Sequence, residues 1–415
     1  MKILVLHQYY LMPGEGGGSR FNEMARAWIE EGHSVTVIAG NVQYTTGVKP
    51  AKYRWRWITK ELDGGVTVWR CHVSRLYRRG SLGRAWAFLT FILSTCTAVL
   101  ITQRPDVIVA TSPPLFIAIP AWIAARMRRK PVPWVFEVRD LWPESMVTMQ
   151  VLHSDSFAIR GLCALERAAC RKSDLINVLT PAFRESILRR GLARESKIVC
   201  IPNGADLHRF KPGPRENAVR REYGWGDRTV VMYAGVHGPA NALTQLLDAA
   251  EFLRDRLDIV IVCVGDGPER EALERRARAN GLSNIMFCGP QPKERMPEFV
   301  NAADIGAAVL QNNPTFRTVY PNKVFDYMAC SRPVLIAIDG IARTLVCDEA
   351  RAGVFAEPEN GASIAGAIRL LADSPEKCRE MGANGRRWVT ENASREVLAQ
   401  RYLAVLSQLA KRGES

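Results

Sequence analysis

The sequence has no C-x-x-C pair: its ten cysteines are scattered between Cys71 and Cys378, several inside apolar runs where a thiol acts as a small hydrophobe. That argues against a disulfide scaffold and fits a reducing cytoplasm. Neither G-x-G-x-x-G nor G-x-x-x-x-G-K-[ST] occurs, which weakens the dehydrogenase and P-loop ATPase readings. The opening "MKILVLHQYY" has one early Lys and a short β-type run rather than a signal peptide, so an unexported chain is expected. There is no low-complexity tract and no close internal repeat.

At 415 residues, with 47% hydrophobic and 24% charged residues, the chain has globular composition and is long enough for two domains. Its net charge of +14 is lopsided. Residues 1–200 carry 28 Lys+Arg against 15 Asp+Glu, and residues 201–415 carry 28 against 27. The densest stretch, Lys49 to Arg84, holds ten basic residues with Trp55, Trp57, Trp69 and Tyr77 interleaved. A basic, Trp-bearing stretch points to an anionic interface, either nucleic acid or a membrane leaflet. The neighbouring "AWAFLTFILSTCTAVLIT" (85–102), 18 residues without a charge, favours the membrane. A strand-like "DVIVATS" follows closely, so the run is expected as a buried or half-buried helix resting in the interface rather than crossing it.

Apolar β-type runs alternate with helical patterns throughout, which predicts βαβ units and parallel sheets. The turn-rich "KIVCIPNGADLHRFKPG" interrupts this alternation, after which it restarts at "TVVMYAGVHG". The expected division is a Rossmann-like domain at 1–198, a linker at 199–212, a second Rossmann-like domain at 213–390 and a closing helix at 391–415 that crosses back to the first. In such folds ligands sit at the carboxyl ends of the strands.

Four stretches can carry chemistry. Gly16, Gly17 and Gly18, ahead of a helix, allow backbone N–H groups to approach an anion; the bland alternative is a flexible loop. "VGDGPERE" (264–271) is a strand, turn and helix start. "FEVRDLWPES" (136–145) clusters Arg139, Asp140 and Glu144 at a strand end, as a site or as an ion pair with a capping acid. In "YPNKVFDYMACSRPVL" (320–335), Pro321 suits the first helical position, Val324, Phe325 and Met328 suit packing, and Lys323 and Asp326 share a face. A cation with free N–H groups can hold a diphosphate and a carboxylate can accept two ribose hydroxyls; the alternative is an exposed ion pair.

Together "GEGGGSR", "RDLWPES", "IPNGADLHRF", "YAGVHGPANAL", "VGDGPERE" and "PNKVFDYMACSRPVL", in this order, resemble a family 4 retaining glycosyltransferase of the GT-B fold, in the branch that adds aminosugars to lipid-linked acceptors in bacterial surface polysaccharides, such as O-antigen. The resemblance covers nearly the whole chain. It implies two α/β domains facing across a cleft and a UDP-sugar held mostly by the second. Gly16 to Gly18 would approach its diphosphate, Lys323 would pair with it, and Asp326 would hold the ribose. Gly235, His237 and Asn241 would line the donor site, and the uracil would rest near Gly289 to Gln291. Asp140 and Glu144 would orient hydroxyls, while Asn203 and Gly204 would be hinge. The acceptor would be a polyprenyl-diphosphate-linked saccharide, and the protein would be peripheral at the inner face of the bacterial plasma membrane.

Two departures stand out. The family's E-x7-E pattern has Thr318 in place of its first acid, and the usual Arg after the second domain's opening strand is missing. No D-x-D occurs, so no metal or other cofactor is expected and Lys323 must carry more of the phosphate charge. The competing readings are a UDP-sugar 2-epimerase of the same fold and a basic nucleic-acid-binding α/β protein.

Overall fold

The computed structural model describes the chain except residues 16–19, 44–45, 79, 128–129, 149–152, 154 and 415. It divides into two compact units, Met1–Pro202 with Leu398–Ser415, and Asn203–Val397.

The first unit is built on eight strands: β1 (Lys2–Leu6), β2 (Ser34–Gly40), β3 (Ile58–Asp63), β4 (Val66–Cys71), β5 (Val107–Ser112), β6 (Trp134–Val138), β7 (Leu175–Val178) and β8 (Ile198–Cys200). Their spatial order is β3-β4-β2-β1-β5-β6-β7-β8. Only β3 runs antiparallel, as a hairpin on β4 through the Gly64–Gly65 turn. The central strands are buried on both faces, which explains why they read as unbroken Val and Ile runs rather than as alternating ones. On one side the helix Arg20–Glu30 packs Phe21, Met24 and Trp28 against the sheet. The closing helix Arg395–Glu414 joins the same core through Leu398, Tyr402 and Leu406, and the Trp28 indole donates to the Ala399 carbonyl at 3.0 Å.

The second unit has six parallel strands: β9 (Thr229–Ala234), β10 (Ile259–Val264), β11 (Ile285–Gly289), β12 (Ile305–Val309), β13 (Val334–Ala337) and β14 (Gly353–Phe355). The order β11-β10-β9-β12-β13-β14 reverses direction between β9 and β12. Counted within the unit this is 3-2-1-4-5-6, the doubly wound order whose crevice at the reversal accepts nucleotides.

The helix Gly80–Ile101 contains the long uncharged run. Its residues Ala87, Phe91, Ser94, Thr95 and Ala98 are buried in the first unit. The opposite face is apolar and open: Leu82, Trp86, Leu89, Leu93 and Leu100, spaced by three, four or seven residues, are all exposed. Leu82–Ile101 is long and apolar enough to cross a bilayer by length and composition.

Candidate functional site

The donor residues predicted in the second unit lie at and around the carboxyl ends of its strands. Beyond β9, Gly235 has φ +150°, a conformation that suits glycine, and beyond β10 Gly265 has φ +140°. A Cβ on Gly265 would stand 1.9 Å from the Gly235 carbonyl oxygen, so only glycine lets the two loops touch. Gly265 N–H donates to the Gly289 carbonyl at 2.9 Å, joining the end of β11 to the same corner.

Lys323 reaches this corner from the helix Asn322–Ala329, which stands over the β9/β12 reversal. Tyr327 fixes the helix there: its phenol donates towards the Met232 carbonyl at 3.1 Å and accepts from Ala234 N–H at 2.9 Å. The Tyr327 ring lies where a Cβ on Gly306 would come within 2.3 Å, which explains a glycine in the middle of β12. Val324, Phe325 and Met328 are buried as their spacing predicts. Pro321 stands at the N-cap, one residue before the helix, rather than at its first position.

The exposed ion pair considered for Lys323 does not form. The side chain is half-buried, with its ammonium 3.6 Å from the Tyr233 ring centroid. Burial lowers its pKa to about 7. A Cβ on Gly235 would lie 3.1 Å from Lys323 Nζ, so the amine stands directly over the backbone at the end of β9. Asp326 lies half-buried in the next turn of the same helix.

His237 is fully buried between the Tyr233 and Phe287 rings, with centroids 6.1 and 6.0 Å away. Neither ring nitrogen has a hydrogen-bond partner. Burial first, then the Arg270 charge, lowers its pKa to about 4, so the ring is neutral at physiological pH. Asn241 is half-buried and closes the short 3-10 turn Pro239–Asn241. Gln291 donates to Tyr223 Oη at 3.2 Å and to the Cys288 carbonyl at 2.9 Å, shaping the chain just after Gly289.

Arg270 is the residue that sequence reasoning missed. It starts the helix Arg270–Ala279, bonds Glu274 at 2.8 Å and approaches Asp266 at 3.8 Å. A Cβ on Gly289 would lie 3.3 Å from its guanidinium. A second cation therefore stands in the corner where the Arg expected after β9 is missing. The only sequence signal was its place one turn into "GDGPERE".

In the first unit, Gly16, Gly17 and Gly18 lie outside the described residues. Arg20, just after them, is almost fully buried and donates to the Ile201 carbonyl at 2.9 Å, while its Nε approaches Glu137 at 3.4 Å. Glu137 also accepts from Asn177 at 2.8 Å. The Arg of "GEGGGSR" thus ties the start of its helix to the sheet. Asp140 follows β6, where its carboxylate accepts from Ser145 Oγ at 3.1 Å, and burial raises its pKa. Glu144 is exposed, stands in the first turn of the helix Glu144–Thr148 and faces Arg190, outside the predicted cluster, at 3.9 Å. Among the described residues, no group of three or more His, Cys, Asp or Glu could hold a metal ion.

Residues 15–204 match the family model "Glycosyl transferase 4-like domain" and residues 216–388 match "Glycosyl transferases group 1". The chain is 24% identical to the putative colanic acid biosynthesis glycosyl transferase WcaI of Escherichia coli K12, over 89% of this chain and 91% of that one. It is 23% identical to the probable glycosyltransferase WbjE of Pseudomonas aeruginosa, over 82% and 83% of the two chains. The crystal structure of Anabaena HepE in complex with UDP superposes with a TM-score of 0.73 at 18% identity, covering 98% of this chain and all of that one. Sucrose-phosphate synthase from Thermosynechococcus elongatus gives 0.75 at 18% identity over 99% of each chain. With two doubly wound units, each matched by a glycosyltransferase domain, the chain belongs to the family 4 glycosyltransferases of the GT-B fold.

Proposed function

We propose that the enzyme transfers a sugar, N-acetylated by the resemblance of its motifs, from a UDP-sugar to a lipid-linked saccharide in bacterial cell-surface polysaccharide synthesis. The observation that carries this reading is the β9/β12 reversal, where Lys323 and Arg270 share one corner with the closely approaching glycine backbone at Gly235, Gly265 and Gly289. Two cations and close-approaching backbone suit a diphosphate, and they meet the charge that develops on the leaving group. Support also comes from HepE, crystallised with UDP and with UDP-glucose, and from the colanic acid role in the WcaI name.

In this mechanism Lys323 and Arg270 pair with the phosphates, Asp326 holds the ribose, and the stretch Gly289–Gln291 receives the uracil. The chemistry retains configuration on one face of the sugar, the departing phosphate oxygen taking the acceptor hydroxyl proton. That assigns no side-chain nucleophile, unlike the paired acids of retaining hydrolases.

Lipid-linked acceptors require access to a membrane, and the first unit presents a surface suited to one. The first unit carries the open stripe Leu82, Trp86, Leu89 and Leu93 and also Trp55, which is 87% exposed with the Arg54 and Arg75 guanidinium groups 5.6 and 5.8 Å from its ring. One face of the Gly80–Ile101 helix is committed to the core, so it rests in the interface with arginines at the headgroups and does not span.

The test is a panel of UDP- and GDP-sugars offered with lipid extracts of bacterial membranes. Transfer from a UDP-sugar to a lipid-linked product is expected. Product formed only from GDP-sugars, or a 2-epimer formed from UDP-N-acetylglucosamine without acceptor, would overturn the reading.

A further inference from the structure

At the carboxyl ends of the first unit's central strands, buried polar atoms stand without partners. Gln8, just past β1, is 1% exposed, and neither its amide nitrogen nor its amide oxygen has a hydrogen-bond partner. Asn41, just past β2, is fully buried; its oxygen accepts from Val73 N–H at 3.0 Å, but its Nδ2 donates to nothing. The two are neighbours. Gly40 N–H donates to the Gln8 carbonyl at 2.9 Å, and a Cβ on Gly40 would lie 3.4 Å from Gln8 Cγ, so the Gln8 side chain lies against the residue preceding Asn41.

The residue before Gln8 adds a further spare donor. His7, 1% exposed, has Nε2 2.9 Å from Arg139 Nη1. A guanidinium only donates, so Nε2 accepts and the ring proton sits on Nδ1, which has no acceptor. Burial and the Arg139, Arg70 and Arg20 charges keep this ring neutral.

Folded chains leave few buried polar groups unpaired, because each forfeits its bonds to water. Here the spare atoms gather at strand ends beside the reversal between β1 and β5, the position where α/β sheets bind ligands. Their chemistry identifies the ligand class. Two neutral amides offer donors and an acceptor without charge, which suits hydroxyl groups that both give and take hydrogen bonds, and suits a diphosphate poorly.

We infer that Gln8 and Asn41 form a recognition pair for the hydroxyls of a pyranose, beside the spare Nδ1–H of His7. The inference rests on the transferase reading above. The pyranose belongs either to the acceptor saccharide or to the sugar of the donor, and kinetics separate the two.

The experiment uses full-length Gln8→Met, which keeps the side-chain length and removes both amide atoms. UDP binding by calorimetry should stay within twofold of wild type, and the thermal midpoint should hold or rise, because a buried amide without partners is lost. A tenfold or greater rise in KM for the lipid-extract acceptor identifies the acceptor sugar. An equal loss of affinity for the active UDP-sugar, with UDP itself unaffected, identifies the donor sugar. Unchanged kinetics with a lowered midpoint would overturn the inference and make Gln8 a structural amide holding a water. Should the Met variant fail to fold, Gln8→Glu gives the same kinetic readout. Wild-type protein that binds no UDP would overturn the underlying reading, and this inference with it.

Discussion

The two units share an architecture and differ in what their strand ends and surfaces hold. The second carries cations over glycine-bordered backbone, with charges elsewhere paired in exposed Arg–carboxylate bridges such as Arg256–Asp258 and Arg369–Asp255. The first carries neutral spare amides at its strand ends and an uncovered apolar helix face. One doubly wound plan thus presents charge and close backbone at one set of strand ends, and neutral donors with an exposed leucine face in the other unit. The lesson is that function resides in what stands beyond the strands rather than in the sheet.

The largest expected effect lies in the second unit. Lys323→Ala should lower the transfer rate about a hundredfold or more, the scale of losing one preorganised charge at a leaving group. Its stability should hold or rise, since a half-buried ammonium without a carboxylate is removed. Full activity would remove Lys323 from the site and erase the contrast between the units.

Next in size is the first unit's open face. Leu89→Glu with Leu93→Glu should reduce sedimentation with vesicles containing anionic lipid by at least tenfold, while UDP binding stays unchanged. Undiminished vesicle binding would assign membrane contact elsewhere.

Gly265→Ala sharpens the backbone side of the comparison. A Cβ 1.9 Å from the Gly235 oxygen forces the two loops apart, and strain at such a φ costs about 1–3 kcal/mol. A lowered urea midpoint and weaker UDP binding are expected together; unchanged UDP affinity would show that the loop contact is unrelated to the donor.

The smallest effect is a pH dependence. The pKa of Lys323 is lowered to about 7 in the folded protein, against an ordinary value near 10.5. Between those values the unfolded chain holds more protons, so the Lys323 contribution raises stability as pH increases from 7 to about 10.5. A diphosphate favours the charged amine, so UDP binding should take up protons and weaken as pH rises from 7 to 9. Calorimetry in buffers of different ionisation enthalpy reads the uptake directly, and no uptake in wild type, or the same uptake in Lys323→Ala, would contradict it.

Much of this was legible in the residues. Alternating β and helical runs gave both parallel sheets, and Val324, Phe325 and Met328 showed the buried side of the Lys323 helix. The inward turn of Lys323 was not legible, because i, i+3 spacing cannot tell a side chain lying on the Tyr233 ring from one in solvent. Arg270 was hidden for a related reason: from the helix after β10 it approaches Gly289 at the end of the neighbouring β11, a contact that spacing in the chain does not encode. Glu144 looked like a site residue at a strand end, yet its partner Arg190 lies 46 positions later in the sequence. The unpaired state of Gln8 and Asn41 is likewise visible only when every neighbour is in place.

The central claim is that the corner of Lys323, Arg270 and Gly289 receives a nucleoside diphosphate. Photolabelling with 5-azido-UDP, followed by peptide mapping, tests it most directly. Label on the peptide containing Gly289–Gln291, suppressed by excess UDP and weakened in Lys323→Ala, is the predicted result. Saturable label confined to the first unit's peptides would contradict the account.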